Sequence, residues 1–336
     1  MTKIDLTGFI AKVRRSVDEH NTGEPGCYRR WRWQNAAGNR DLSSSEYGCA
    51  DAANILYSLS DFPRDLAERA AFVAELQRFQ NPETGLFAEP THHTLHTTAH
   101  CTGALELFDA RPLYPLTALE QYRTREGLYA LLEGLNWERS PWNNAHQGAG
   151  IYAAFANTDS VTPDWAEAYF SWLDEHCDPE IGMSVKGRIV PECPLCWHLF
   201  GWFHYLFNYT YARRAYPCAE ALVDTCLKMY RQEIWDAPGV FGRQIGFREI
   251  DWVYTVSRLP AQTGYRFAES REALLDFAEK FADFCDHVDV EKNEAFNDLH
   301  MLFGTVCAWA ELQMALPGVI VTQRPLKLVL DRRPFI

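Results

Sequence analysis

Apolar residues recur along this chain in two alternating patterns. Segments such as DLAERAAFVAELQRFQ and REALLDFAEKFADFC carry them at helical spacing opposite a charged face, the pattern of helices with one side in water. Between these lie segments such as CTGALELF, GAGIYAAFA and GTVCAWAELQMAL. They are apolar nearly all round, which predicts helices enclosed on both sides. The enclosed helices begin near Glu46-Tyr47-Gly48-Cys49-Ala50-Asp51, Leu95-His96-Thr97-Thr98-Ala99-His100, Asn143-Asn144-Ala145-His146-Gln147, Cys196-Trp197-His198, Glu249-Ile250-Asp251-Trp252 and Asn297-Asp298-Leu299-His300. Those starts are roughly fifty residues apart, the length of one helical hairpin with its loops. Their water-facing partners begin near Ile4, Leu66, Leu116, Asp164, Cys218 and Ser270.

Six such pairs predict one all-α domain over residues 1–336, an (α/α)6 toroid of six helical hairpins. The connections are unequal. Those leading out of the enclosed helices are short, such as DFPRD and DARPLYP, whereas those leading into them are longer and chemically richer, such as NPETGLFAEPTHHT, DPEIGMSVKGRIVPECPLC and WDAPGVFGRQIGFRE. Long loops on a rigid scaffold usually carry the binding surface. The working face is therefore expected where the inner helices begin, in a funnel whose helix N-termini favour an anionic or polyhydroxylated ligand.

Composition narrows the ligand. Aromatic residues make up 14% of the chain, a surplus that suits a lined cavity. The net charge of -13 and the lack of a basic stripe argue against a nucleic-acid partner; the cationic cluster Arg29, Arg30 and Arg32 stays local. MTKIDLTGFIAKVRRS has no apolar core of a signal peptide, and no run of apolar residues suits a membrane span. A cytoplasmic protein is expected, with its ten scattered cysteines as buried thiols.

Placing the inner-helix starts around one ring brings distant polar residues together, among them most of the 11 histidines. Asp51, Glu249, Asp251 and Asp298 are the acids there. Hydrolysis of an acetal needs one protonated and one ionised carboxyl group. Asp251, next to Glu249 and Trp252, suits the general acid, and Asp298 the base, unless it only caps its helix. His92, His96 and His100 are spaced by four and would share a helix face; sugar hydroxyls are the preferred partners, and no metal is expected. Cys193-Pro194-Leu195-Cys196 lacks the second pair of a zinc site. Asn144 with His146 would suit β-elimination from a uronate, the amide capping its carboxyl group while the histidine takes the proton. Lys186, Arg188, Arg243 and Arg248 lie in the rim loops, where an arginine can read a carboxylate. Trp142 and Trp252 are placed to stack on pyranose rings, and Trp202 and Phe203 to pack the core.

This arrangement resembles the six-hairpin (α/α)6 group of carbohydrate-active enzymes along nearly the whole chain. Unsaturated glucuronyl hydrolases look similar in size, plan and use of an Asp at an inner-helix start, for which Asp51, Asp251 and Asp298 are the matching positions. The NNAH stretch is similar to the Asn-Asn-His motif of alginate-type lyases, with Ala145 inserted. NPETGLF and DPEIGMS resemble turns of terpene-cyclase toroids, whose DxDD motif is missing here. Sugar 2-epimerases share the barrel and use paired histidines, for which His198, His204 and His300 are candidates. The expected activity is a glycoside hydrolase acting without cofactor on a short, acidic oligosaccharide. Asp251 and Asp298 would act as acid and base, and His96, His100, His146, Gln147, His198 and His300 would hold hydroxyls. Tyr47, Asp51, Asn144, Arg248, Glu249, Trp142 and Trp252 would complete the binding site. A uronate lyase, a sugar epimerase and a non-catalytic sugar-binding toroid are the alternatives.

Overall fold

The computed structural model, which describes residues 3–336, is built almost entirely of helices. In chain order, α1 spans Thr7–His20, α2 Glu46–Ser58, α3 Leu66–Arg78, α4 Thr94–Leu107, α5 Arg125–Gly134, α6 His146–Ala156 and α7 Pro163–His176. They are followed by α8 Leu195–Tyr211, α9 Ala219–Arg231, α10 Arg248–Thr263, α11 Phe267–His287, α12 Glu294–Asn297, α13 Leu299–Ala315 and α14 Val329–Arg332.

The two sequence patterns separate as burial requires. Along α4, α6, α8 and α13 nearly every residue is buried. On α9, by contrast, Leu222, Val223, Cys226 and Met229 turn inward while Glu220, Asp224 and Lys228 face solvent. The enclosed helices pack in order: α2 on α4, α4 on α6, α6 on α8, α8 on α10, α10 on α13, and α13 back on α2. A single hydrophobic cluster runs through all of them.

Local chemistry sets the ends. Ser45 caps α2 by accepting the Gly48 N–H at 3.2 Å, and Asp298 caps α13 by accepting the His300 N–H at 3.0 Å. The third water-facing stretch, expected from near Leu116, departs from expectation. A 3₁₀ turn over Thr117–Arg123 comes first, and α5 starts only at Arg125. The reason is Thr124, which is extended and caps the Gly127 N–H at 3.1 Å. The C-terminal tail is also not the strand its alternation suggests. The short strand Ile320–Val321 pairs in parallel with Ile4–Asp5 instead, and the tail beyond it forms α14 and then enters the interior, with Arg333, Phe335 and Ile336 buried.

One close approach positions the site. The segment Tyr28–Trp33 lies against the first turn of α2, and a side chain at Gly48 would collide with the Tyr28 carbonyl oxygen and lie 2.5 Å from the Arg29 carbonyl carbon. The same segment is pinned to the start of α13 by the Leu299 N–H donating to the Arg30 carbonyl at 3.0 Å. Gly48→Ala is therefore expected to destabilise the protein by about 1–3 kcal/mol, the usual range for overpacking, read as a lower midpoint in chemical denaturation. An unchanged midpoint would show that the segment yields freely.

Candidate functional site

Where α4, α6, α10 and α13 begin, a cavity of about 110 Å³ opens among Arg30, His92, His96, Trp142, Asn143, His146, His204, Phe247, His300, Met301 and Ile336. That volume holds several waters or one small polar molecule, well short of an oligosaccharide. Five histidines from four separate chain segments line it. A histidine wall accepts or donates hydrogen bonds and moves protons, and does both in neutral form.

Beneath this wall lies Asp51, on the second turn of α2 and fully buried. One of its oxygens, Oδ1, accepts from His100 Nε2 at 2.9 Å and from His300 Nδ1 at 3.0 Å. Burial pushes the Asp51 carboxyl up, but the two imidazoles outweigh it and hold the group below the ordinary carboxylate range. For His300 burial dominates and lowers the ring to about 4 against the pull of Asp51. The result is an ionised carboxylate holding two neutral imidazoles. With Nδ1–H of His300 on Asp51, its Nε2 carries the lone pair on the cavity side.

A second set of histidines comes from α4, α6 and α8. His96, His146 and His204 are each buried, and each offers one ring nitrogen within 4.8 Å of the others. Tyr47, fully buried, holds His96 through its hydroxyl at 2.7 Å from Nδ1. His204 Nδ1 lies 2.9 Å from the Phe200 carbonyl. His146 bonds the backbone of Trp142, and its Nε2 has no partner. Burial comes first among the causes that lower all three, followed for His96 and His146 by their histidine neighbours; His204 is lowered to about 4.

At the rim, Arg30 grips Asp298 with two parallel hydrogen bonds of 2.9 and 3.0 Å and lies 3.5 Å from Glu89. It also covers the Tyr47 ring at 5.0 Å. A bidentate arginine–carboxylate pair fixes both planes, so Arg30 presents a rigid cationic edge to the cavity.

The structure divides the residues expected from sequence. It brings His96, His146, His300 and Trp142 into the cavity, with Tyr47, Asp51 and His100 directly behind them. The two carboxylates expected to act as acid and base are elsewhere. Asp298 is held by Arg30 while it caps α13, which leaves it no freedom as a base. Asp251 is fully buried, unpartnered and not part of the cavity wall; burial pushes it well up, with Glu249 adding to the effect. Trp252 is core, stacked on Tyr230 at 4.9 Å with its indole N–H on the Cys226 carbonyl. Glu249 is also interior, accepting the Gly242 N–H at 3.3 Å. Gln147 is buried outside the wall, and His198 bonds Ser184 Oγ at 2.9 Å, remote from it. Arg248 pairs with Asp236 at 2.7 Å and covers Trp142 at 5.2 Å. Asn144 accepts the Asn136 N–H at 2.6 Å, and Asn143 lines the cavity in its place. The cause is a π-helical turn over Pro141–Ala145, whose wider register rotates these side chains away from the α-helical expectation.

Two contributors, Arg30 and the C-terminal tail, were not expected from sequence, and a third, His204, sits at an unexpected depth. Arg30 carries a faint signal, a cation among Tyr28, Trp31 and Trp33. His204, half-anticipated as a member of a histidine pair, lies in the third turn of α8 rather than at its start. The tail had none: Phe335 packs 4.8 Å from the His96 ring and 5.7 Å from His204. Gly103 makes room for the neighbouring Arg333, whose Cδ would lie 2.6 Å from a side chain there. All ten cysteines are free thiols; eight are buried, as expected, and Cys27 and Cys218 are half-buried. Among the described residues no helix is long and apolar enough to cross a membrane.

Glu249 offers a test of interior electrostatics. Burial raises its carboxyl to about 8, so its stabilising contribution is complete below the unfolded value and is lost as pH rises towards 8. Glu249→Gln should therefore gain stability relative to the parent chain between pH 5 and pH 8, by about 1 kcal/mol per pH unit. Parallel denaturation curves across that range would contradict the burial of its charge.

Comparison of the chain with known protein families, with curated proteins and with solved structures finds no match.

Proposed function

We propose that this chain is an enzyme that moves a proton on a small polyhydroxylated carbonyl compound, a sugar isomerase or epimerase, with His300 as the base. The observation that carries this reading is the buried Asp51 holding Nδ1 of His300 while the rest of that ring lines the cavity. In this arrangement His300 Nε2 takes the proton from the carbon beside the carbonyl. The electron pair moves onto the carbonyl oxygen and gives an enediolate. Asp51 stabilises the imidazolium that forms, as a carboxylate behind a histidine does in other proton-transfer sites. Return of the proton to the former carbonyl carbon, while the adjacent hydroxyl passes its proton to the enediolate oxygen, isomerises the sugar; delivery of a proton to the original carbon on the other face epimerises it. Arg30 favours the developing negative charge, and Trp142 offers an apolar face.

The size of the cavity supports a single sugar over an oligosaccharide, and the positions of Asp251 and Asp298 support histidine chemistry over carboxylate hydrolysis. The packing order of the six enclosed helices, which returns from α13 to α2, supports the (α/α)6 toroid expected from the repeat. It also supports the architectural likeness to six-hairpin carbohydrate-active enzymes, among which epimerases with paired histidines fall.

The test is incubation of the protein with a panel of aldoses, ketoses, amino sugars and uronates in D₂O, followed by NMR. Deuterium at the carbon beside the carbonyl is expected for at least one substrate. Asp51→Asn and His300→Gln should each lower its rate by about 10²–10⁴-fold while the helical circular dichroism is retained. Sugar released from glycosides without deuterium uptake would favour hydrolysis, and absorbance from an unsaturated product would favour elimination; either would overturn the proposal.

A further inference from the structure

The imidazoles of His96, His146 and His204 are arranged as metal ligands. Their ring centroids form a triangle of 4.6, 5.3 and 6.0 Å, with planes inclined at 65°, 44° and 61°. Three imidazoles binding one ion at about 2.1 Å place their centroids about 5 Å apart, with the rings fanned around it. The neighbouring pair His92 and His96 lies nearly parallel instead, at 24°.

Each ring is oriented by its second nitrogen. The Nδ1 of His96 meets the Tyr47 hydroxyl, that of His204 meets the Phe200 carbonyl, and His146 bonds the backbone of Trp142. The Phe200 carbonyl can only accept, so His204 is protonated at Nδ1 and carries its lone pair on Nε2; the Tyr47 hydroxyl can hold His96 in the same tautomer by accepting from its Nδ1. Metal-binding histidines are held in this way, which fixes tautomer and direction. The buried His146 Nε2 has no hydrogen-bond partner, and an unpartnered buried acceptor is costly unless something fills the gap. Three imidazoles offering ring nitrogens within 4.8 Å of one another, one of them buried and unpartnered, suit a cation. The second cluster, Asp51 with His100 and His300, differs because the facing nitrogens of both rings already bond Asp51 Oδ1 at 2.9 and 3.0 Å.

We infer that His96, His146 and His204 bind one first-row divalent transition-metal ion at the cavity wall. Three neutral nitrogens suit zinc, cobalt, nickel or iron(II), whereas magnesium and calcium require oxygen ligands. All three residues line the cavity, so the ion keeps open positions towards it, the arrangement of a catalytic site rather than a structural one. An ion there would polarise a carbonyl or hydroxyl oxygen of a small ligand. The site goes beyond the proton-transfer reading and does not depend on it.

The experiment strips the purified full chain with a chelator, then titrates it with zinc(II) and separately with cobalt(II). Metal content after desalting and the visible spectrum of the cobalt form are the readouts. One ion per chain is expected, with a cobalt spectrum of nitrogen ligation. His146→Ala and His204→Gln should each weaken binding by more than about 100-fold, and Tyr47→Phe by about 10–100-fold, the usual effect of losing an orienting partner. His198→Gln, buried away from the cavity, should still bind one ion. Should the histidine variants misfold, long-range ¹H–¹⁵N spectra of the parent chain supply the same answer, since zinc must shift three Nε2 signals together. Absence of stoichiometric binding, or equal loss on His198→Gln, would overturn the inference. Deuterium uptake that persists in the stripped protein would leave proton transfer standing while the metal inference is judged on binding alone. Binding without any exchange activity would do the reverse.

Discussion

A buried carboxylate holds the centre of this protein together. Asp51 has no exposed surface, and an ion so placed is tolerable only when hydrogen bonds replace its water. Its two donors, His100 and His300, come from α4 and α13, the helices on either side of α2. The two contacts on its Oδ1 therefore link three neighbouring helices. They also fix which nitrogen of His300 carries its proton. Structural need and chemical readiness are met by one interaction.

Around that centre, parts of the chain outside the helical hairpins complete the site. The Tyr28–Trp33 segment reaches Asp298 across most of the sequence and delivers Arg30, while the tail brings Arg333 onto Asn54 Oδ1 at 3.1 Å and Phe335 onto the histidines. Both insertions depend on absent side chains, at Gly48 and Gly103. The buried Arg333 also offsets the negative charge of Asp51 in the same interior. A hairpin repeat supplies the walls, and non-repeating segments decide what those walls present.

Burial then sorts the titratable groups by role. Asp251 and Glu249 sit outside the cavity where burial disfavours the charged form; Asp298 is engaged by Arg30. The histidines, kept neutral by the same desolvation, are the groups that meet a ligand with unengaged lone pairs. Imidazoles line the cavity, and the one carboxylate behind them, Asp51, orients two of them.

The chain by itself determined the helical class, the alternation of enclosed and water-facing helices, and the gathering of histidines near the enclosed helices' starts. Periodicity, caps and loop lengths belong to contiguous segments, so a linear reading reaches them. His96, His146 and His300 were legible for that reason, and Asp51 was legible as a polar residue on an enclosed helix, though not as the partner of two histidines. What tertiary structure alone decided was direction. A π turn at Pro141–Ala145 exchanged Asn144 for Asn143, Trp252 turned outward onto Tyr230 rather than inward, and Asp298 met an arginine 268 residues away. Each successive residue of a helix points about 100° from the last. A shift of one position, or a partner supplied from a remote segment, therefore changes which side chain a cavity receives without leaving a mark in the local pattern.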